Sequence, residues 1–93
     1  MDKMARLIVT VKIMPSDINV NLKDVYEQLK STLPKEYSVL NYEIVPIAFG
    51  LKSLLVNISM PEEKEGGTSE LEDIISNMDN VQSVEVLRVS RTF

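Results

Sequence analysis

The side chains of this chain that could do chemistry are mostly acids. Glu62, Glu63 and Glu65 crowd the loop PEEKEGGTS, where clustered carboxylates raise the question of a hard-cation site. Their spacing lacks the rigid ligand geometry of such sites, and the run reads as a solvated loop. Paired carboxylates for glycoside chemistry need a pocket to hold them, which nothing in the pattern supplies. Gly66-Gly67-Thr68 precedes a helical stretch, an arrangement that can turn backbone N–H groups toward an anion. The P-loop lysine and its spacing are missing and the neighbouring glutamates repel phosphate, so the segment reads as a turn and cap.

The chain has no histidine and no cysteine. Thiol catalysis, disulfides, cysteine-based zinc sites and the Ser-His and Cys-His pairings are thereby excluded. The expectation is a protein without catalytic residues, metal or cofactor. The formal net charge of -4 and a pI near 4.7 argue against nucleic acid as the main partner, because phosphate backbones need clustered Lys and Arg. The sign varies along the chain. Half of the 14 acids fall between Glu62 and Asp79, whereas the end carries Arg88 and Arg91 with Glu85.

One stretch is apolar where a turn should be polar: Pro46-Ile47-Ala48-Phe49-Gly50-Leu51-Lys52. A phenylalanine beside a glycine, flanked by more apolar residues than a core can absorb, suits a contact presented to a partner protein. Lys52 stands where it could position that contact. Arg91 is expected in a short tail, residues 91–93, that leaves the edge of a sheet and can reach into another molecule.

The elements that must position these residues follow from periodicity. Residues 5–14 alternate, with Leu7, Val9, Val11 and Ile13 on one face and Arg6, Ile8, Thr10, Lys12 and Met14 on the other. Leu22, Val25, Tyr26, Leu29 and Leu33 recur at helical spacing behind Asn21-x-x-Asp24, and Pro34 stops that helix. Residues 37–48 and 51–60 read as two further strands, joined at Gly50 by a positive-φ turn into an antiparallel hairpin. Ser69-x-x-Glu72 opens a second helix with Leu71, Ile74, Ile75 and Met78 on its inner stripe, and VQSVEVLRVS is the fourth strand.

The order β-α-β-β-α-β predicts a ferredoxin-like α+β two-layer sandwich, with a four-stranded antiparallel sheet and two helices on one face. Its expected core is Leu7, Val9, Val11, Ile13, Leu22, Val25, Leu29, Leu54, Val56, Ile58, Leu71, Ile74, Ile75 and Val84. At 93 residues, 44% hydrophobic and 26% charged, the chain is expected to form a single domain over residues 1–93. No run approaches a membrane span and the apolar start lacks a cleavage site, which predicts an unprocessed cytoplasmic protein. An RNA-binding sheet of this fold would carry aromatics on its central strands; Val, Ile, Thr and Lys stand there instead.

The segment Pro46 to Lys52, the Gly66-Gly67-Thr68 loop and Val81-Gln82-Ser83-Val84-Glu85-Val86 resemble the archaeal elongation factor 1-beta family, counterparts of the exchange domain of eukaryotic elongation factor 1-beta. The resemblance spans essentially the whole chain. It implies guanine nucleotide exchange, with GDP release and GTP loading on elongation factor 1-alpha during translation elongation. In the eukaryotic relatives a phenylalanine of the matching segment contacts the GTPase, and a lysine near the C-terminus enters the magnesium and phosphate region of its nucleotide site. Matching the segments places those roles on Phe49 and Arg91. Gly50, Lys52 and Arg88 complete the expected partner-binding set, on a monomer.

The rival reading is a small regulatory or ligand-binding ferredoxin-like domain, homo-oligomeric through its open sheet face. Ile8, Met14, Leu55 and Leu87 would line that surface.

Overall fold

Alternating β-branched residues build β1 (Arg6–Pro15), which runs through the middle of the molecule; in this computed structural model residues 6–62 and 67–92 are described. Five further segments of sequence pattern give α1 (Leu22–Thr32), β2 (Ser38–Pro46), β3 (Lys52–Pro61), α2 (Ser69–Ser76) and β4 (Val81–Thr92). The sheet is antiparallel throughout, in the order β2-β3-β1-β4. This is the two-layer ferredoxin-like arrangement expected from the element order.

Local chemistry explains the boundaries. Asn21 caps α1, its side-chain oxygen accepting from the Lys23 N–H at 2.9 Å. Leu33, the residue before Pro34, is extended with ψ 142, as the proline ring requires, and the helix ends there. Pro15 closes β1 at an irregularity where Met14 pairs with Ser83 and Pro15 with Val81, so its missing N–H breaks no regular ladder. The expected cap of α2 differs. Thr68, not Ser69, is the N-cap, and its hydroxyl donates to the Glu72 carboxylate at 2.9 Å instead of receiving a backbone N–H.

The core lies between one sheet face and the two helices. Val9, Val11 and Ile13 of β1 meet Leu54, Val56, Ile58 and Met60 of β3, covered by Val25 and Leu29 of α1 and Leu71 and Ile75 of α2. Tyr37, Met60 and Met78 join it beyond the expected set, whereas Leu7, Ile74 and Val84 are partly buried at its margin. Tyr26 of α1 stacks on Tyr42 of β2 with ring centroids 4.0 Å apart, pinning the helix over the edge strand.

The other face is open and largely polar. Thr10 donates to Asn57 Oδ1 at 2.6 Å, and Asn57 Nδ2 donates to Asn41 Oδ1 at 2.7 Å. With Arg88 opposite Thr10, this row crosses all four strands. Arg6 further along reaches Ser59 Oγ at 2.7 Å and the Glu36 carbonyl at 2.8 Å.

Candidate functional site

The β2–β3 connection is a tight hairpin. Leu51 N–H donates to the Ala48 carbonyl at 2.8 Å and Ile47 N–H to the Leu51 carbonyl at 2.8 Å. The two central residues are Phe49 and Gly50, with φ 53 and φ 79. Positive φ at both centres is the type I′ pattern, whose twist matches that of the strands it joins. Gly50 is required by its backbone and not by space, since a Cβ there would meet nothing within 4 Å. Phe49 is the anomaly. A bulky side chain in the left-handed region is strained by about 1–2 kcal/mol, yet the ring gains no burial in return: it is 96% exposed.

Neighbours extend this apolar end. Ile47 of the hairpin and Ile18 of the segment between β1 and α1 are exposed, and Lys52 stands at the first residue of β3. Ile18, 58% exposed, is not among the residues the sequence singles out. Its one signal there is being a lone aliphatic in the polar stretch Ser16-Asp17-Ile18-Asn19.

Of the expected cations, Lys52 stands near Phe49, whereas Arg88 and Arg91 do not. Register places Lys52 opposite Pro46 at the hairpin end, whereas Leu7 pairs with both Met60 and Arg91 at the far end. From Lys52 to Met60 the strand advances roughly 26 Å at about 3.3 Å per residue. The hairpin and Arg91 therefore occupy opposite ends of the sheet, in a molecule whose longest dimension is 49 Å. Arg88 sits between them on the open face, its Nε 3.4 Å from Ser90 Oγ.

The expected C-terminal tail is corrected. Arg91 and Thr92 continue β4, paired with Leu7 and Arg6, because alternation carries the ladder to the end of β1. Arg91 Nε lies 2.8 Å from Glu62 Oε2, with the two side chains 56% and 30% exposed. Phe93, together with Glu63, Lys64, Glu65 and Gly66 of the acidic loop, lies outside the described residues. Among the described residues, no group of three or more acids is placed to hold a metal ion, and no helix is long and apolar enough to cross a membrane.

Comparison with known proteins agrees with this architecture and adds the family. The EF-1 guanine nucleotide exchange domain matches residues 8–92. Curated relatives named elongation factor 1-beta include those of Staphylothermus marinus, 47% identical over 95% of this chain and 98% of the relative, and Aeropyrum pernix, 49% identical over 95% and 98%. That of Hyperthermus butylicus is 44% identical over 95% and 96%. Among solved structures, the C-terminal domain of the MgtC protein from Mycobacterium tuberculosis has a TM-score of 0.57, covering 99% of this chain and 93% of that one at 12% identity, a likeness of fold alone. Over nearly its whole length, the chain belongs to the elongation factor 1-beta family, guanine nucleotide exchange factors of translation elongation.

Proposed function

We propose that the chain acts on elongation factor 1-alpha, in the cytoplasm, as a monomer folded as one domain over residues 1–93. The observation that carries this reading is Phe49, held in a strained conformation at a hairpin tip with its ring in solvent. Strain without burial is explained when the ring is buried by a partner. Gly50 supplies the turn that projects it, and Lys52 contributes a charge beside it.

Exchange is differential binding. GDP is held by contacts to its phosphates and Mg²⁺, and a partner that prefers the empty GTPase weakens nucleotide binding by the same factor. A thousandfold faster release needs about 4 kcal/mol of preference at the transition state. No covalent bond changes, so a chain without histidine or cysteine suffices. Arg91 brings a guanidinium to the far end of the sheet, where it competes with Mg²⁺ for the phosphate region, and Arg88 adds positive charge between the two ends. The domain then meets the GTPase at two places separated by the length of its sheet.

The test is the dissociation of fluorescent GDP from elongation factor 1-alpha, followed with increasing amounts of this protein. Release that accelerates and saturates is expected. Release that does not change at any concentration would remove the proposed partner.

A further inference from the structure

Beside Phe49 the surface is hollow. A concavity of about 230 Å³ opens where α1 begins, walled by Ile18, Val20 and Leu22 on one side and by Ile44, Gly50 and Lys52 on the other. Most of its lining side chains are apolar, with Asn21 and Lys52 the polar ones, while polar atoms, backbone included, supply about half of the exposed lining. The volume lies below the range of about 300–1,000 Å³ that encloses small-molecule ligands, and suits one side chain.

Two features say what fills it. Gly50 is at once the turn partner of Phe49 and part of the wall, so the opening adjoins the residue that carries the exposed ring, and a protein surface that buries the ring borders the opening. The exposed Ile18 stands on the rim, so covering the ring and the rim together removes from water an apolar area that either alone leaves incomplete. The charge at the rim selects further: Lys52 favours a carboxylate next to the incoming apolar group.

We infer that docking is reciprocal. Phe49 enters the GTPase, while the concavity receives an apolar side chain of the GTPase whose neighbour is acidic, with Ile18 as the second contact residue. This rests on the reading of elongation factor 1-alpha as partner. It adds a binding site on this chain and a residue, Ile18, that the hairpin alone does not include.

The experiment measures GDP release from elongation factor 1-alpha as a function of exchange-factor concentration, for the unaltered protein and for Ile18→Glu, Ile18→Ala, Ile18→Leu and Phe49→Ala. Thermal unfolding is recorded for each. Ile18→Glu and Ile18→Ala are expected to raise the half-saturating concentration by about tenfold and about fivefold, the range for a contact that carries binding energy. Ile18→Leu, which keeps the apolar rim, is expected to restore it, and the unfolding midpoints to stay together because Ile18 is exposed. Unchanged half-saturation for both Ile18→Glu and Ile18→Ala, with Phe49→Ala impaired, overturns the reciprocal site and leaves the partner standing. No acceleration by the unaltered protein overturns the partner and this site with it.

Discussion

Arg91 and Glu62 form an ion pair of 2.8 Å at the end of the sheet opposite the Phe49 hairpin. The cation nearest the chain's end is therefore held by the protein's own acid before any partner arrives. An exposed pair of this kind contributes about 0–1 kcal/mol to stability, because water screens it and two long side chains must be ordered.

Its functional effect should be visible where its stabilising effect is not. Glu62→Gln removes this ion pair from Arg91 and is expected to accelerate GDP release at saturating exchange factor by about twofold to fivefold, the rate equivalent of up to about 1 kcal/mol. Arg91→Ala is expected to slow it, with an unfolding midpoint close to that of the unaltered protein. Point substitutions are the right probe, because deleting residues 91–93 also strips the pairing of β4 with Leu7 and Arg6. Identical release rates for all three proteins would separate Arg91 from exchange.

Phe49 should show stability and docking moving in opposite directions. Phe49→Asn places at the hairpin tip the Asn-Gly pair that a type I′ turn prefers. Relief of about 1 kcal/mol of backbone strain raises the unfolding midpoint by about 4–8 °C in a domain of this size. The same substitution removes the ring and is expected to raise the half-saturating concentration for exchange by about tenfold. Calorimetry and the exchange assay check the two halves independently.

A buried residue gives the opposite pattern. Leu29 of α1 is fully enclosed, and Leu29→Ala should cost about 2–5 kcal/mol through lost burial and the cavity left behind. Phe49→Ala, at an exposed tip, should leave urea unfolding almost unchanged. If the two variants lost similar stability, Phe49 would belong to the packed interior.

The polar row on the open face separates the exchange reading from its rival. Thr10, Asn57 and Asn41 satisfy one another across three strands, with Arg88 beside them, so this face offers a poor hydrophobic seam to a second copy. Sedimentation at tens of micromolar is expected to give a monomer. Asn57→Ala, which removes both bonds, should cost about 1–3 kcal/mol in urea unfolding without changing the sedimenting species. A dimer that dissociates in Asn57→Ala would support the homo-oligomeric alternative.

Much of this protein is legible in its sequence, for a local reason. Alternation in Leu7 to Ile13, helical spacing from Leu22 to Leu29, Asn21 before a helix and Pro34 after it each act within a few residues. Gly50 likewise announces a turn, and the apolar run around it announces a ring with no core to enter. These signals fix element type and order, and with them the ferredoxin-like sandwich.

What only the tertiary structure decided depends on pairing between distant segments. The register of β4 against β1 turned an expected tail into strand and set Arg91 beside Glu62, far from Phe49. The left-handed backbone of Phe49 follows from closing the hairpin between β2 and β3, which no propensity of phenylalanine suggests. Ile18 reached the same end of the molecule because β1 and the β2–β3 hairpin finish side by side. Sequence therefore determined the elements, their order and most of the core, while long-range strand register, set by burial of one sheet face, determined which exposed residues stand together.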